Sequence, residues 1–357
     1  MKIGKFSIAA LLFINPPFVG GFVLPKSEVA SYLSSGSVWG LPQSSIADKL
    51  VSSVQATSSA SSDVPETGKS AKSNGKSLEE LRREGGRLCV NTPIGALNLF
   101  AIYYGLVSLF LGIPWFAALK TCQFAYWITG GRFDKMRRIP VFLSHVWGVA
   151  LMRLTRSYPE IENLDILEKF YAEGKPAMFV ANHCSWMDIP FLGAAVGWRN
   201  YKLVSKKELG IVPVLGTSIK VGGHIMVDRT DRKSQIRTLK QGINYLKKDG
   251  IHLCTFPEGT RSRTGRLMAF KNGAFKMAHK AGAPVIPLSI VNSHKVMPIG
   301  WMFAMKPSHG TAKVVVQEPV ESVGRTEEEL AEAVRTSMLS GLPDDQRPVD
   351  KSDKKAE

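Results

Sequence analysis

From Leu88 to Leu119 the chain runs for 32 residues without a formal charge, through IGALNLFAIYYGLVSLFLGIPWFAAL. About 20 apolar residues at a rise of ~1.5 Å each cross the hydrocarbon core of a bilayer, so this run predicts a membrane helix. Arg82, Arg83 and Arg87 precede it and Lys120 follows, while Tyr103, Tyr104 and Trp115 are amphipathic residues of the kind that sit at membrane interfaces. Pro114 predicts a bend or break near the far end. A second apolar stretch, IPVFLSHVWGVALM at 139–152, follows the basic loop RFDKMRR and is short for a span, which predicts an interfacial or re-entrant segment. The alternative for both stretches is a buried helical hairpin of a soluble protein.

Beyond 153 the pattern changes to short apolar runs between helical periodicities. Ala177–Val180, Ile251–Phe256, Val285–Val291 and Lys313–Gln317 read as strands. Between them, Ile236, Leu239, Ile243 and Leu246 recur at helical spacing within 231–248, as do Phe275 and Ala278 within 271–281. Such alternation predicts an α/β layered domain. After Gly324 the sequence TEEELAEAVRTSML predicts one helix, followed by a solvated acidic end.

The first 77 residues carry a different pattern. Lys2 and Lys5 precede the uncharged run IAALLFINPPFVGG, the order of a signal peptide over 1–21. Residues 22–77 are rich in Ser and poor in acidic residues, the composition of a transit peptide or, alternatively, of a disordered secretory linker. A signal peptide followed by a Ser-rich segment that begins at Phe22 resembles the two-part plastid address of algae whose plastids lie inside extra membranes. It implies a plastid membrane, with the endoplasmic reticulum membrane as the alternative.

Composition narrows the partner. The 357 residues include 46 Lys and Arg against 30 Asp and Glu, a net charge of +16. The N-terminal 77 residues are net +3 and residues 324–357 net −3, so the whole balance lies in 78–323. A segment this basic implies a polyanion, either nucleic acid or an anionic membrane with its phosphorylated lipids. The uncharged run and the lack of a recognisable nucleic-acid module argue against the first. The four cysteines, Cys89, Cys122, Cys184 and Cys254, stand singly without ligand spacing, so neither a zinc site nor a disulfide framework is indicated.

Four segments carry candidate chemistry. His183 follows the strand PAMFV in Asn182-His183-Cys184-Ser185-Trp186-Met187-Asp188, on the rim where α/β ligand sites form. A carboxylate on one imidazole nitrogen fixes the tautomer and leaves the other to take a proton. His-x4-Asp does not share a regular helix face, so that pairing requires a turn, with Asp188 in the first turn of the next helix. The same spacing also fits a helix-capping Asp beside an exposed His. In FPEGTRS, Gly259 permits a tight backbone approach, Arg261 offers a planar fork for phosphate, and Glu258 can accept from hydroxyls or hold that arginine; a surface turn with a local ion pair is the other reading. In GGHIMVDR, Arg229 reads either as a phosphate ligand or as a surface charge. Pro284-Val285-Ile286-Pro287 can line a tunnel or form a sheet edge. Cys184 and Ser185 are poorly placed as nucleophiles beside His183, and no GxSxG elbow is present. His145, His252, His279, His294 and His309 read as structural, and Lys206, Lys207, Lys271 and Lys276 as a general positive surface.

In this order, NHCSWMD, GGHIMVDR, FPEGTRS and PVIP resemble the four blocks of the glycerolipid acyltransferase family, with the strongest likeness to 1-acylglycerol-3-phosphate (lysophosphatidate) acyltransferases across 78–323. The resemblance implies an α/β fold, a mixed sheet flanked by helices, with an N-terminal membrane-associated helical segment. It implies membrane-associated helices over 78–152, a catalytic domain over 153–323 and a C-terminal helix and tail over 324–357. His183 and Asp188 carry over as the catalytic pair. Arg229 and the run Glu258, Gly259, Thr260 and Arg261 carry over as the glycerol-phosphate site, and Ile286 and Pro287 as the acyl-donor side. The implied reaction is attack of the sn-2 hydroxyl of lysophosphatidate on an acyl thioester, from acyl carrier protein or CoA, with no metal or cofactor beyond that co-substrate. The partners implied are membrane lipids, lysophosphatidate and the thioester donor, with no nucleic acid. An acyltransferase acting on another lysophospholipid or on glycerol 3-phosphate, and a non-catalytic phospholipid-binding membrane protein, are the alternatives.

Overall fold

The computed structural model describes residues 18–19, 22–23, 88–92 and 95–349. The signal-peptide and transit readings of 1–77 therefore lie almost wholly outside the described residues, as does the end of the tail. The chain divides into residues 23–75 and a unit formed by 1–22 and 76–357, and every element from Cys89 onward belongs to the second.

The uncharged run does not begin as a helix. Cys89–Thr92 (β1) and Gly95–Asn98 (β2) pair antiparallel. Helix α1 then starts at Leu99, where the Asn98 side chain accepts the Ala101 N–H and caps the first turn. It continues through Pro114 to Ile128, so the proline does not end it and the helix extends well past Lys120. Pro114 removes one N–H that the Phe110 carbonyl would accept, on a turn whose Phe110 and Ile113 side chains are exposed. Helix α1 is long and apolar enough to cross a membrane, and only 11% of its most apolar 18-residue window is buried. Helix α2, Arg138–Leu154, returns against α1, with Trp115 stacked on Trp147 at 4.3 Å.

The rest is an α/β layer. Its elements are β3 (Glu160–Glu162), α3 (Leu164–Ala172), β4 (Met178–Ala181), α4 (Asp188–Val196), β5 (Tyr201–Lys206), α5 (Leu215–Val221), β6 (Ile225–Val227), α6 (Arg232–Lys247), β7 (His252–Thr255), α7 (Gly273–Ala281), β8 (Val285–Val291), α8 (Ser293–Val296), β9 (Lys313–Val316) and α9 (Glu327–Ser340). The seven-stranded sheet has the order β3-β9-β8-β4-β7-β5-β6, with β4 at its centre. All neighbours run parallel except β8 and β9, which makes the sheet mixed. The proline-containing strand β8 lies inside the sheet, all seven residues buried, and so is not an edge. Its unbroken apolar run suits a strand covered on both faces.

Alternation along the strands sorts the core. Phe179 and Ala181 of β4 face one cluster with Ala101 and Tyr104 of α1, Leu151 and Met152 of α2, and Phe191 of α4. Met178 and Val180 face the other, with Leu246 of α6, Phe275 of α7 and Leu330, Val334 and Met338 of α9. The helical hairpin thus shares one hydrophobic core with the sheet. The loop between its helices is fastened by Lys202, only 1% exposed, whose three ammonium N–H groups are shared among the carbonyls of Met136, Arg137 and Gly222 and Asn200 Oδ1. Helix α9 begins with a reciprocal cap between Thr326 and Glu329 and seals the far face. The segment after it is packed as far as Gln346, which is fully buried.

Candidate active site

Three of the four sequence blocks sit at the carboxyl ends of parallel strands, where open α/β sheets form ligand sites, whereas the fourth, Pro284–Pro287, enters the amino end of β8. Strand β4 delivers Asn182 and His183, β7 delivers Phe256 to Arg261, β6 delivers Arg229, and β8 delivers Asn292 and Ser293. Asn182 welds two of these ends together: its amide donates to the Ile290 carbonyl at 2.9 Å and accepts the Ile290 N–H at 2.7 Å.

The turn required between His183 and Asp188 is present. Asp188 opens α4, and its Oδ2 lies 2.7 Å from His183 Nδ1 while accepting the N–H groups of Cys184 and Ser185, each at 2.7 Å. Its Oδ1 accepts the hydroxyl of Ser293. A carboxylate only accepts, so Nδ1 carries the proton and Nε2 presents its lone pair. The His183 ring stacks on Phe256 at 4.1 Å and 14°, which fixes its plane. The His183 side chain is 15% exposed and that of Asp188 0%, so the pair has one accessible end.

Glu258 does not point outward. Its Oε1 accepts the His183 backbone N–H at 2.6 Å and its Oε2 the Met268 N–H at 2.9 Å, in a pocket that leaves it 3% exposed. Burial pushes its carboxyl up to about 7, while those two donors pull it back. Gly259 adopts φ +75°, where a Cβ would also press on the Lys271 side chain at 3.0 Å. Its carbonyl accepts from Arg229 Nη1. Thr260 is exposed at the tip of the turn. Arg261 lies over the Trp186 ring at 4.6 Å, and its buried Nη1 has no hydrogen-bond partner. Ile286 and Pro287 are buried in the core of β8 and line neither cavity described next.

Two cavities lie on opposite faces of the sheet beside neighbours of the pair, Phe256 for one and Trp186 and Met187 for the other, while His183, Asp188 and Arg261 themselves line neither. One, about 550 Å³, is lined by Phe256 and Gly259 and rimmed by Arg229, Arg232, Lys271 and Lys276. The other, about 280 Å³, runs between the hairpin and the sheet, lined by Trp186 and Met187 and by Tyr104, Trp147 and Gly148. Adjacent residues of β5 divide between them, Val204 facing the basic cavity and Leu203 and Ser205 the apolar one. Cys184 is buried and its thiol is raised well above the ordinary range by burial and then by Asp188, so it stays protonated and is not a nucleophile. Ser293, Trp186 and Phe256 are site residues that sequence reasoning missed. Of these only Trp186 and Phe256 lie inside a block; Ser293 stands 105 positions from Asp188 with no local signal.

A family model described as Acyltransferase matches residues 159–291. The match spans β3 to the end of β8 and so contains every block. Over 214 residues the chain is 33% identical to a 1-acyl-sn-glycerol-3-phosphate acyltransferase of Chlamydomonas reinhardtii, covering 59% of this chain and 61% of that one. Over 190 residues it is 34% identical to a chloroplastic 1-acyl-sn-glycerol-3-phosphate acyltransferase of Arabidopsis thaliana, covering 53% and 51%. The chain thus spans less than two thirds of the length of these curated relatives. The chain also resembles the crystal structure of the 1-acyl-sn-glycerophosphate acyltransferase PlsC from Thermotoga maritima, with TM-score 0.50 and 26% identity over 67% of this chain and 95% of that one.

Proposed function

We propose that the protein transfers an acyl chain from a thioester to the sn-2 hydroxyl of 1-acyl-sn-glycerol 3-phosphate, giving phosphatidic acid. The observation that carries this reading is the His183–Asp188 pair, set at the end of the central strand with a basic cavity and an apolar one beside its neighbours. His183 Nε2 takes the proton of the sn-2 hydroxyl as its oxygen attacks the thioester carbonyl. The tetrahedral intermediate collapses with loss of the thiolate, which receives that proton from the imidazolium, leaving an ester and a free thiol. Asp188 holds the Nδ1–H tautomer and stabilises the imidazolium between the two transfers.

Arg229 and Arg261 bind the acceptor's phosphate, so that one hydroxyl is presented to the base. The unpartnered Nη1 of Arg261 supports this role, since a buried guanidinium N–H without an acceptor is satisfied by an anion. Glu258, with both oxygens committed to the backbone, serves the site as scaffold and not as a ligand. The apolar cavity holds an acyl chain. The exposed apolar side chains of α1, among them Leu106, Leu109, Phe110 and Ile113, anchor the domain to a membrane. Chloroplastic relatives support a plastid location.

The test is labelled acyl transfer by the full chain in lipid, from acyl-CoA and from acyl carrier protein, to lysophosphatidate, lysophosphatidylcholine and glycerol 3-phosphate. Transfer to lysophosphatidate above the other acceptors is expected. Lipid binding without transfer from either thioester would overturn the reading and leave a phospholipid-binding protein.

A further inference from the structure

Asp188 is fully buried, so water cannot replace any donor it loses. Its two oxygens are served unequally. Oδ2 takes His183 Nδ1 and two backbone N–H groups, whereas Oδ1 takes the hydroxyl of Ser293. Ser293 is itself 0% exposed and has one proton to give. The Cys184 thiol lies 3.2 Å from the Ser293 oxygen and 3.8 Å from His294 Nδ1, and since the carboxylate receives the Ser293 proton, the Ser293 oxygen can only accept from that thiol. The hydroxyl is thereby held between Asp188 Oδ1 and the Cys184 sulfur.

The reach from β8 to Asp188 depends on the residue before Ser293. Asn292 takes the left-handed conformation, φ +58°, which turns the chain sharply off the strand so that Ser293 faces the catalytic loop. That turn is held from the C-terminal segment: Gln346 Oε1 accepts the Asn292 N–H at 2.7 Å, while its amide reaches the carbonyls of Gly265 and Ile290. Leu267 in turn donates to the Gln346 carbonyl at 2.8 Å. Gln346 is buried completely, 158 residues beyond Asp188 in sequence.

We infer that Ser293 is a positioning residue for Asp188, and that Gln346 of the C-terminal segment holds Ser293 in place. The inference rests on the acyltransferase reading of the His183–Asp188 pair. Without the Ser293 hydroxyl, one carboxylate oxygen is left bare in a dry pocket, and Asp188 rotates to share its remaining donors. That rotation draws Oδ2 off the His183 ring and loosens the tautomer. Neither Ser293 nor Gln346 lines either cavity, so substrate affinity is untouched.

The experiment compares wild type, Ser293→Ala, Ser293→Thr and Gln346→Ala in the lysophosphatidate assay, with thermal unfolding of each. Ser293→Ala is expected to lower kcat about tenfold while leaving both KM values close to wild type, with the modest fall in unfolding temperature that a bare buried carboxylate oxygen causes. Ser293→Thr, which keeps the hydroxyl, should recover most of the rate, and Gln346→Ala should lower kcat in the same direction. Wild-type kcat in Ser293→Ala would overturn the inference while leaving the enzyme reading intact. A loss matched by a fall in unfolding temperature and not recovered by threonine would also overturn it, as a merely structural effect. A wild type that transfers nothing would sink the acyltransferase reading, and the inference with it.

Discussion

Glu258 Oε1 accepts the backbone N–H of His183 at 2.6 Å, joining two sequence blocks 75 residues apart through one buried carboxylate. The same side chain holds Met268, so the loop that carries Arg261 and the loop that carries the base move together. Ser262 completes the seam by donating its N–H to the His183 carbonyl at 2.7 Å.

Glu258→Gln should therefore damage turnover and not affinity. An amide replaces one acceptor by a donor, which then faces a backbone N–H. Hydrogen bonds to a charged group contribute about 1.5–3 kcal/mol, so kcat should fall ten- to a hundredfold at nearly constant KM for lysophosphatidate. Steady-state kinetics decide it; a rise in KM at constant kcat would make Glu258 a substrate ligand.

Arg261 gives the opposite signature. Its guanidinium lies over Trp186 with Nη1 free for an anion, and a lysine ammonium has neither the plane nor the fork. Arg261→Ala should raise the KM for lysophosphatidate at least about tenfold, and Arg261→Lys should not restore it. An unchanged KM in both variants would remove Arg261 from the phosphate site.

Gly148 tests the apolar cavity. It lies on α2 at the cavity wall, and a Cβ built there meets nothing within 4 Å. Gly148→Leu should fill the cavity without strain in the helix, where replacing glycine is favourable by up to about 1 kcal/mol. Competition between acyl donors of different length should then shift toward shorter chains. An unchanged length preference would mean that the acyl chain lies elsewhere.

Acid should destabilise the fold through two neutral histidines. Burial, then Arg199, pulls His252 down to about 4, and burial, then Lys202, pulls His224 down to about 3. Each accepts a backbone N–H through Nδ1, from Ala177 and Leu203 respectively. In the unfolded chain both titrate near 6.5, so between 6.5 and about 4 the unfolded state binds more protons and stability falls with falling pH. Glu258 acts the other way between 4.5 and about 7, because its raised value makes the fold the better proton binder there. The comparison with His252→Gln separates them: the variant should lose on the order of 2 kcal/mol of the pH dependence. Thermal unfolding at pH 5 and 7.5 reads this; an equal pH response in wild type and variant would contradict it.

The strands at 177–180, 251–256, 285–291 and 313–317 were legible because each is a short apolar run, and two of them, β4 and β8, are buried at every residue. Strand β5, YKLVSK, was not, since two lysines break its pattern; one of them, Lys202, is buried only because four oxygens surround it. The uncharged run misled at its start because hydrophobicity does not separate the hairpin Cys89–Asn98 from the helix that follows. The break expected at Pro114 does not occur, because exposed apolar turns tolerate a missing N–H. In the site, His183 and Asp188 were legible from five residues, whereas the orientation of Glu258 and the approach of Ser293 depend on neighbours 75 and 105 positions away, which no local pattern records.

The central claim is that His183, held by Asp188, is the base for acyl transfer to lysophosphatidate. The most direct test is the rate of labelled phosphatidic acid formation by full-length wild type and His183→Ala at saturating substrates, with lysophosphatidate binding measured on both. General-base catalysis contributes about 10²- to 10⁴-fold, so the variant should lose at least a hundredfold in rate while it binds lysophosphatidate as wild type does. A variant that keeps its rate would contradict the account.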